Sequence, residues 1–161
     1  MSLLPVYRDS FFTSLRRSDG MHLHMHYRKG AVYTDFSVST DFEGYEGLVH
    51  GGMIFGMLDA MMWYVILLET GKIGMTRTAS MDFTRPVSCD VAYRAEASVL
   101  GVEGRDIWAE ARVDNGDNEL CARVKGLFRE AQYVDRVRLL KNLDFTGISD
   151  EIKAMIMSRV G

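Results

Sequence analysis

A long apolar segment in the middle of the chain limits the folds that it can adopt. Residues 53–68 carry a single charged side chain, that of Asp59, and Gly71 follows where glycine commonly ends a helix. We therefore predict one long helix from about residue 51 to residue 69. Because this helix is apolar on every face, other parts of the structure must cover it from all sides.

Alternating apolar and polar residues on both sides of the helix predict six β-strands. One sheet covers only one side of a helix, so the sheet must curl around it or a second copy must complete the cover. This favours an α+β fold over a parallel sheet of alternating strands and helices. The predicted strands are 21–27 and 31–38 before the helix, and 76–83, 91–100, 106–114 and 119–128 after it.

The whole chain, residues 1–161, is predicted to form one domain, since its length suits a single hydrophobic core. The core covers about 21–130. An N-terminal extension, 1–20, contains a predicted helix over 9–17. A charged tail, 132–161, is predicted to form two helices, with Ser149 as the N-cap of the second.

Composition and charge exclude several classes of function. The net charge is −3 and no cluster of Lys and Arg is dense enough to follow a phosphate backbone, so we expect no nucleic-acid partner. The apolar run is short for a membrane span and contains Asp59, which favours a buried core helix. The first residues lack the apolar stretch of a signal peptide, and two free thiols, Cys89 and Cys121, fit a reducing cytoplasm.

Three histidines, His22, His24 and His26, alternate along the first predicted strand and so share one face of it. Two of them could bind a metal, but no carboxylate or cysteine completes a ligand set. An exposed strand face explains the pattern better, and we predict no metal site.

The loop before the helix and the helix itself carry a recognisable motif. The segment GYEGLVHGGMIFGMLDAMM places His50, Gly51 and Gly52 at the start of the helix, and Asp59 follows nine residues after His50. This pattern resembles that of hotdog-fold acyl-CoA thioesterases, specifically the PaaI-like branch of phenylacetate degradation. The strand that ends at Arg85-Pro86 fits the same family, and the resemblance covers about residues 21–130.

The resemblance implies a hotdog fold, in which a curled antiparallel six-stranded sheet wraps around one long central helix. It also implies hydrolysis of a small or medium acyl- or aryl-CoA, with the coenzyme A thioester as substrate and no cofactor. Thr76, with Thr78 as the second choice, matches a family hydroxyl that positions water. Gly44 departs from the family, in which an asparagine often stands six residues before the histidine.

The chemistry of thioester hydrolysis suits these residue types. The Gly51 amide at a helix N-terminus can stabilise the charge on the carbonyl oxygen, and Gly52 leaves room for the substrate. Alternatively, both glycines only permit a tight turn into the helix. Asp59 can act as base or nucleophile. Alternatively it is a structural carboxylate, although no basic residue lies within four positions of it on the helix.

Spacing along the helix bears on assembly. Residues 51 and 59 lie roughly 12 Å apart along a helix axis, so one carbonyl cannot contact both groups of one chain. We therefore predict a homodimer whose sites combine Gly51 of one subunit with Asp59 of the other. In the family, such dimers often pair into tetramers.

Two further residues are candidates for the site. His50 either polarises the thioester or anchors the loop. Arg85 could contact a phosphate of CoA, although surface arginines near turns are common.

Two other functions stay open at this stage. Hotdog domains also bind acyl-CoA without hydrolysing it and act as metabolite sensors, and the missing asparagine at Gly44 favours this alternative. Hotdog hydratases and dehydratases arrange a histidine and an acid differently from this sequence, which makes them the weakest match.

Overall fold

The computed structural model describes residues 2–161. Its central helix, α1, is Gly51–Thr70, close to the predicted bounds, and Gly71 ends it in the left-handed conformation at φ 70°. The other elements, in chain order, are β1 Ser2–Leu3, β2 Val6–Tyr7, β3 His26–Arg28, β4 Ala31–Phe36, β5 Gly74–Phe83, β6 Tyr93–Glu103, β7 Asp106–Asp114, β8 Leu120–Glu130, α2 Arg136–Lys141, β9 Leu143–Asp144 and α3 Asp150–Val160.

Seven of these strands form one antiparallel sheet in the order β1-β3-β4-β6-β7-β8-β5. The helix α1 packs against the inner face of this sheet and contacts β4, β5, β6 and β7. Small side chains on this face let the helix approach closely, because they leave room for the large residues of α1. The predicted α+β hotdog arrangement is confirmed. The buried alanines on β6, β7 and β8 are Ala95, Ala97, Ala109, Ala111 and Ala122, and the largest buried residues on the helix include Met57, Leu58, Met61 and Met62.

The predicted number of six strands is wrong, because the N-terminal extension supplies a seventh. Ser2 and Leu3 pair with β3 and extend the sheet at one edge. The predicted strand over 21–27 is also mostly wrong, since only its last two residues belong to β3. His22 adopts a left-handed φ of 53°, which interrupts the extended backbone, and the Leu23 amide bonds to the Phe12 carbonyl.

The predicted helix over 9–17 is wrong as well, since these residues form successive turns. The Ser14 hydroxyl donates to the Arg8 carbonyl, which is the kind of local bond by which serine competes with helix. The Phe12 ring packs against α1 at Gly56, where a Cβ would overlap the ring. Tertiary packing of aromatic side chains therefore determines the path of this segment.

The two ends of the chain are joined by a small separate sheet. β2 pairs antiparallel with β9, so that Tyr7 faces Leu143, and the Arg8 amide donates to the Asn142 carbonyl at 2.8 Å. The tail forms the two predicted helices, α2 and α3. Ser149 caps α3 as predicted, since its hydroxyl accepts a hydrogen bond from the Ile152 amide.

Part of α1 and most of β5 stay uncovered within one protomer. Gly52 is exposed, and Asp59, Ala60 and Trp63 are only half-buried, so the helix has an open face. β5 is an edge strand whose residues 75–80 are all exposed. By length and composition α1 could span a membrane, but its other faces are buried beneath four strands, as in a core helix.

The buried Tyr64 anchors the N-terminal extension to the open side of α1. Its hydroxyl donates to the carbonyl of Pro5 at 2.8 Å, and burial raises the pKa of Tyr64 to about 12. The side chain therefore stays neutral and keeps its donor throughout the physiological pH range.

Tyr64→Phe should lower the free energy of unfolding by about 1–3 kcal/mol, because it leaves the buried Pro5 carbonyl without its donor. Urea denaturation measures this loss. Tyr45→Phe, at an 84% exposed tyrosine, is the matched control and should leave stability unchanged. Equal stability of Tyr64→Phe and wild type would show that this bond does not anchor the extension.

Candidate active site

Asp59 and Thr76 meet where the third turn of α1 passes beneath the start of β5. The Thr76 hydroxyl donates to Asp59 Oδ1 at 2.5 Å. Thr76 faces the helix because its β8 partner, Phe128, is an inward-facing residue, and a bulge between Thr76 and Thr78 reverses the alternation beyond it. Thr78 consequently lies opposite the outward-facing Leu127, so Thr76 is the hydroxyl beside Asp59.

A cavity of about 570 Å³ surrounds this carboxylate. Ala60 and Trp63 from the open face of α1 line it, together with Phe128 from β8 and residues from both chain ends. The lining is mainly apolar, and Asp59 and Thr76 are among its few polar groups. Such a cavity can hold an apolar group with one end beside a carboxylate.

His50 is the N-cap of α1. Its Nδ1 accepts a hydrogen bond from the Gly52 amide at 2.9 Å, so Nδ1 is unprotonated in this arrangement. The Gly51 amide has no acceptor within residues 2–161, whereas the following amide is already satisfied. Of the two glycines, Gly51 is therefore the one whose N–H can bind an incoming oxygen.

Backbone hydrogen bonds fix the loop that presents these groups. The His50 amide donates to the Phe42 carbonyl and the Val49 amide to the Val87 carbonyl, each at 2.8 Å. Gly44 lies directly against His50, since a Cβ on Gly44 would be 3.1 Å from imidazole Cδ2. The imidazole thus occupies the space beside position 44, which explains why this chain accommodates a glycine there.

A second cavity, of about 730 Å³, opens beside the helix N-terminus and is lined by Gly51, Tyr45 and Arg85 among others. The ring of Phe83, at the end of β5, covers Gly51 so closely that a Cβ there would lie 3.0 Å from Phe83 Cζ. The Arg85 guanidinium bonds to the Leu120 carbonyl at 2.8 Å and to Glu119 at 3.2 Å. Arg85 lines this cavity, but its donors are partly used.

The structure brings the predicted site residues together in two groups that do not meet within one protomer. Asp59 and Thr76 line one cavity, whereas His50, Gly51 and Arg85 line the other, and the two linings share no residue. A single thioester therefore cannot contact the Gly51 amide and the Asp59 carboxylate of the same chain.

Other reactive side chains lie outside this arrangement. Cys89 and Cys121 are free and buried, and burial raises the pKa of both thiols, so neither is an activated nucleophile. Within residues 2–161, no group of three or more His, Cys, Asp and Glu side chains is placed to hold a metal.

Sequence reasoning missed the contribution of the chain ends to the Asp59 cavity. Tyr7 and Ser10 come from the N-terminal extension, and Val134 and Leu139 come from the tail. No local pattern indicates these residues, because long-range pairing of β2 with β9 brings them to the site. Phe83 was also missed, although it lies two residues before Arg85.

Comparisons with known proteins agree with this architecture. Residues 46–122, which span the loop, α1, β5 to β7 and the first residues of β8, match the model of the thioesterase superfamily. A crystal structure of a thioesterase superfamily protein superposes with a TM-score of 0.72 at 25% identity, over 76% of this chain and 61% of that one. Over residues 46–122 the chain resembles the thioesterase superfamily. Its predicted resemblance to hotdog-fold thioesterases is confirmed.

Three further similarities to known proteins extend this comparison. An uncharacterized Schizosaccharomyces pombe protein is 34% identical over 107 residues, which are 63% of this chain and 61% of the relative. The Escherichia coli PaaI protein superposes with a TM-score of 0.63 at 17% identity, over 69% of this chain and 80% of that one. A Streptococcus mutans protein bound to acetyl CoA superposes with a TM-score of 0.63 at 18% identity, over 68% of this chain and 88% of that one.

The sequence identity of each similar protein determines how much the comparison shows. The PaaI and Streptococcus mutans proteins, which share less than 25% of their residues with this chain, show the common fold. The chain spans about three-fifths of the length of the yeast relative and of the thioesterase superfamily structure.

His50→Ala should lower the free energy of unfolding by about 1 kcal/mol, because it removes the cap of α1. His50→Asn should stay near wild type, because asparagine is among the best N-cap residues. Urea denaturation of both variants measures the difference. An equal loss in both would show that the imidazole does not stabilise the helix by capping.

Proposed function

We propose that this protein is an acyl-CoA thioesterase that hydrolyses small or medium acyl- or aryl-CoA. The observation that carries the proposal is the hydrogen bond from Thr76 to Asp59 at the wall of an apolar cavity. It holds a carboxylate beside the space that an acyl group would fill. The match of residues 46–122 to the thioesterase superfamily model and the free Gly51 amide support the same reaction.

In the proposed reaction Asp59 activates a water molecule. The Thr76 hydroxyl occupies Oδ1, which leaves Oδ2 to accept a proton from the water. The hydroxide adds to the thioester carbonyl, and the Gly51 N–H stabilises the resulting oxyanion. The C–S bond then breaks, and the CoA thiolate leaves and is protonated. Alternatively, Asp59 attacks the carbonyl itself, and the C–S bond breaks to release the CoA thiolate and leave a mixed anhydride. Water then hydrolyses the anhydride, which releases the acid and regenerates the Asp59 carboxylate.

This chemistry requires two subunits, because the two groups line different cavities. β5 supports a two-fold homodimer: it is a ten-residue edge strand, and its outer edge is open to pair with the same strand of a second copy. Pairing through β5 would also cover the open face of α1. The Gly51 amide of one subunit would then serve the Asp59 of its partner, and such dimers could pair into tetramers.

The CoA part of the substrate is proposed to pass along the cavity at the helix N-terminus. Arg85 lines this cavity, and its guanidinium retains donors for a phosphate oxygen. The exposed Gly52 follows the lining residue Gly51 on α1. A structural relative holds acetyl CoA, which supports a CoA ligand here.

The proposed reaction uses only these groups and water, so we propose that it needs no cofactor. We also propose a cytoplasmic location, because the two cysteines are free thiols.

Asp59→Asn should lower kcat for acyl-CoA hydrolysis by about a hundredfold or more, because the amide cannot accept the proton. Release of free thiol, measured across a panel of acyl- and aryl-CoA esters, gives the rate. Asp117→Asn, at an exposed turn, is the control and should retain wild-type activity. Wild-type hydrolysis by Asp59→Asn would remove Asp59 from the mechanism.

Subunit complementation should show that each site is shared. Gly51→Pro removes the amide N–H and should keep the helix, because proline suits the first helical position and His50 already has the extended ψ of 130° that precedes proline. Gly51→Ala is the control, since it also places a Cβ against Phe83 but keeps the N–H. We expect Gly51→Pro to be about a hundredfold slower than Gly51→Ala.

A heterodimer of Gly51→Pro with Asp59→Asn, co-expressed and purified through two tags, would have one site with both substitutions and one with neither. Its kcat should return to roughly half of the wild-type value per dimer, as two-fold symmetry requires. A heterodimer as slow as its two parents would contradict a shared site.

The close packing of Gly44 against His50 is also compatible with a second function, the binding of acyl-CoA without hydrolysis. With a glycine there, no side-chain amide can assist the reaction, as would suit a protein that binds acyl-CoA without hydrolysing it. Thermal shift with acyl-CoA, run beside the thiol-release assay, separates the two functions. Stabilisation without thiol release would favour a sensor.

A further inference from the structure

The cavity around Asp59 is built partly by segments outside the matched thioesterase region, which covers residues 46–122. Val134 precedes α2 and Leu139 lies within it, and both line the cavity with Tyr7 of β2. Leu139 is 8% exposed, so its side chain is fixed by its surroundings, while Val134 is half-buried. Val134 and Leu139 are apolar, as are Ala60 and Trp63 on the helix side, whereas the N-terminal extension also contributes the polar Asp9 and Ser10.

The chain ends are held at the cavity by several independent contacts. β2 and β9 pair at Val6–Asp144 and Tyr7–Leu143, and β9 follows the end of α2 directly. The Asp135 carboxylate caps α2 through the Arg138 amide at 3.1 Å. Arg136 in the first turn of α2 also donates to the Gly71 carbonyl at 3.3 Å. The helix is therefore held to the rest of the fold at its start by Arg136 and at its end by the pairing of β9 with β2.

A rigid apolar surface inside an acyl pocket limits the length of the group that fits. Each buried methylene contributes about 0.8 kcal/mol to binding while there is room for it, and none once the chain reaches the wall. Removing methyl groups from the wall should therefore admit a longer chain, and adding bulk should exclude it.

We propose that the joined chain ends close the acyl pocket of this protein, and that Val134 and Leu139 determine how long an apolar acyl or aryl group it accepts. This proposal rests on the proposed thioesterase function, because it assigns the Asp59 cavity to the acyl group. It concerns specificity, so its test measures binding as well as turnover.

The test uses S-alkyl-CoA thioethers, which cannot be hydrolysed, with butyl, hexyl, decyl and tetradecyl chains. Isothermal titration of the full-length protein gives the dissociation constant for each. In the wild type, affinity should rise with chain length up to a limit. In Val134→Ala and Leu139→Ala the limit should move to a longer chain, with about a tenfold gain for the first probe beyond the wild-type limit.

Val134→Phe is the opposite variant and should move the limit to a shorter chain. This variant also keeps the proposal testable if Leu139→Ala does not fold, because Leu139→Ala removes a buried side chain. Leu140→Ala is the matched control: Leu140 is a half-buried residue of the same helix that does not line the cavity. It should leave the length profile unchanged.

A length profile that stays the same in Val134→Ala and in Val134→Phe would overturn the proposal. The outcome is distinct from failure of the proposed function. If the protein binds the thioethers with the expected shifts but hydrolyses none of the corresponding esters, the wall is confirmed and the thioesterase activity is refuted.

Discussion

The packing of α1 into the curled sheet is the constraint on which the rest of the structure depends. An apolar helix of twenty residues cannot lie in water, and each fully buried Met, Leu or Ile side chain contributes about 1.5–3 kcal/mol to its burial. Buried alanines on β6 and β7 let the sheet close over the helix. The same packing fixes Asp59 beneath the start of β5, because the helix has no freedom to rotate.

The helix N-terminus shows how two adjacent glycines come to differ in hydrogen bonding. His50 Nδ1 accepts the Gly52 N–H, which leaves the Gly51 N–H as the unsatisfied donor at the positive end of the helix. Gly44 makes this possible, because a larger residue would press on the imidazole. The departure from the family pattern at position 44 and the capping role of His50 are therefore one feature of the structure.

The sequence was sufficient for the central elements and insufficient for the chain ends. The helix and β7 followed from apolar periodicity and turn residues, because local propensity and burial agree there. Thr76 was found by resemblance, although the bulge that orients it left no pattern of its own. The helix predicted over 9–17 failed because Phe12 packs on Gly56, a contact between residues that are 44 positions apart. Long-range contacts of this kind also hid Val134 and Leu139.

The N-terminal extension explains where a partner subunit can act. The Phe12 ring covers α1 at Gly56, in the middle of the open helix face. The uncovered helix surface is thereby divided into a region around Gly52 and a region around Asp59 and Trp63. These regions contain the oxyanion donor and the carboxylate of the proposed reaction. In the proposed dimer, therefore, the partner contributes the missing half of each site, while the extension keeps the two halves of one chain apart.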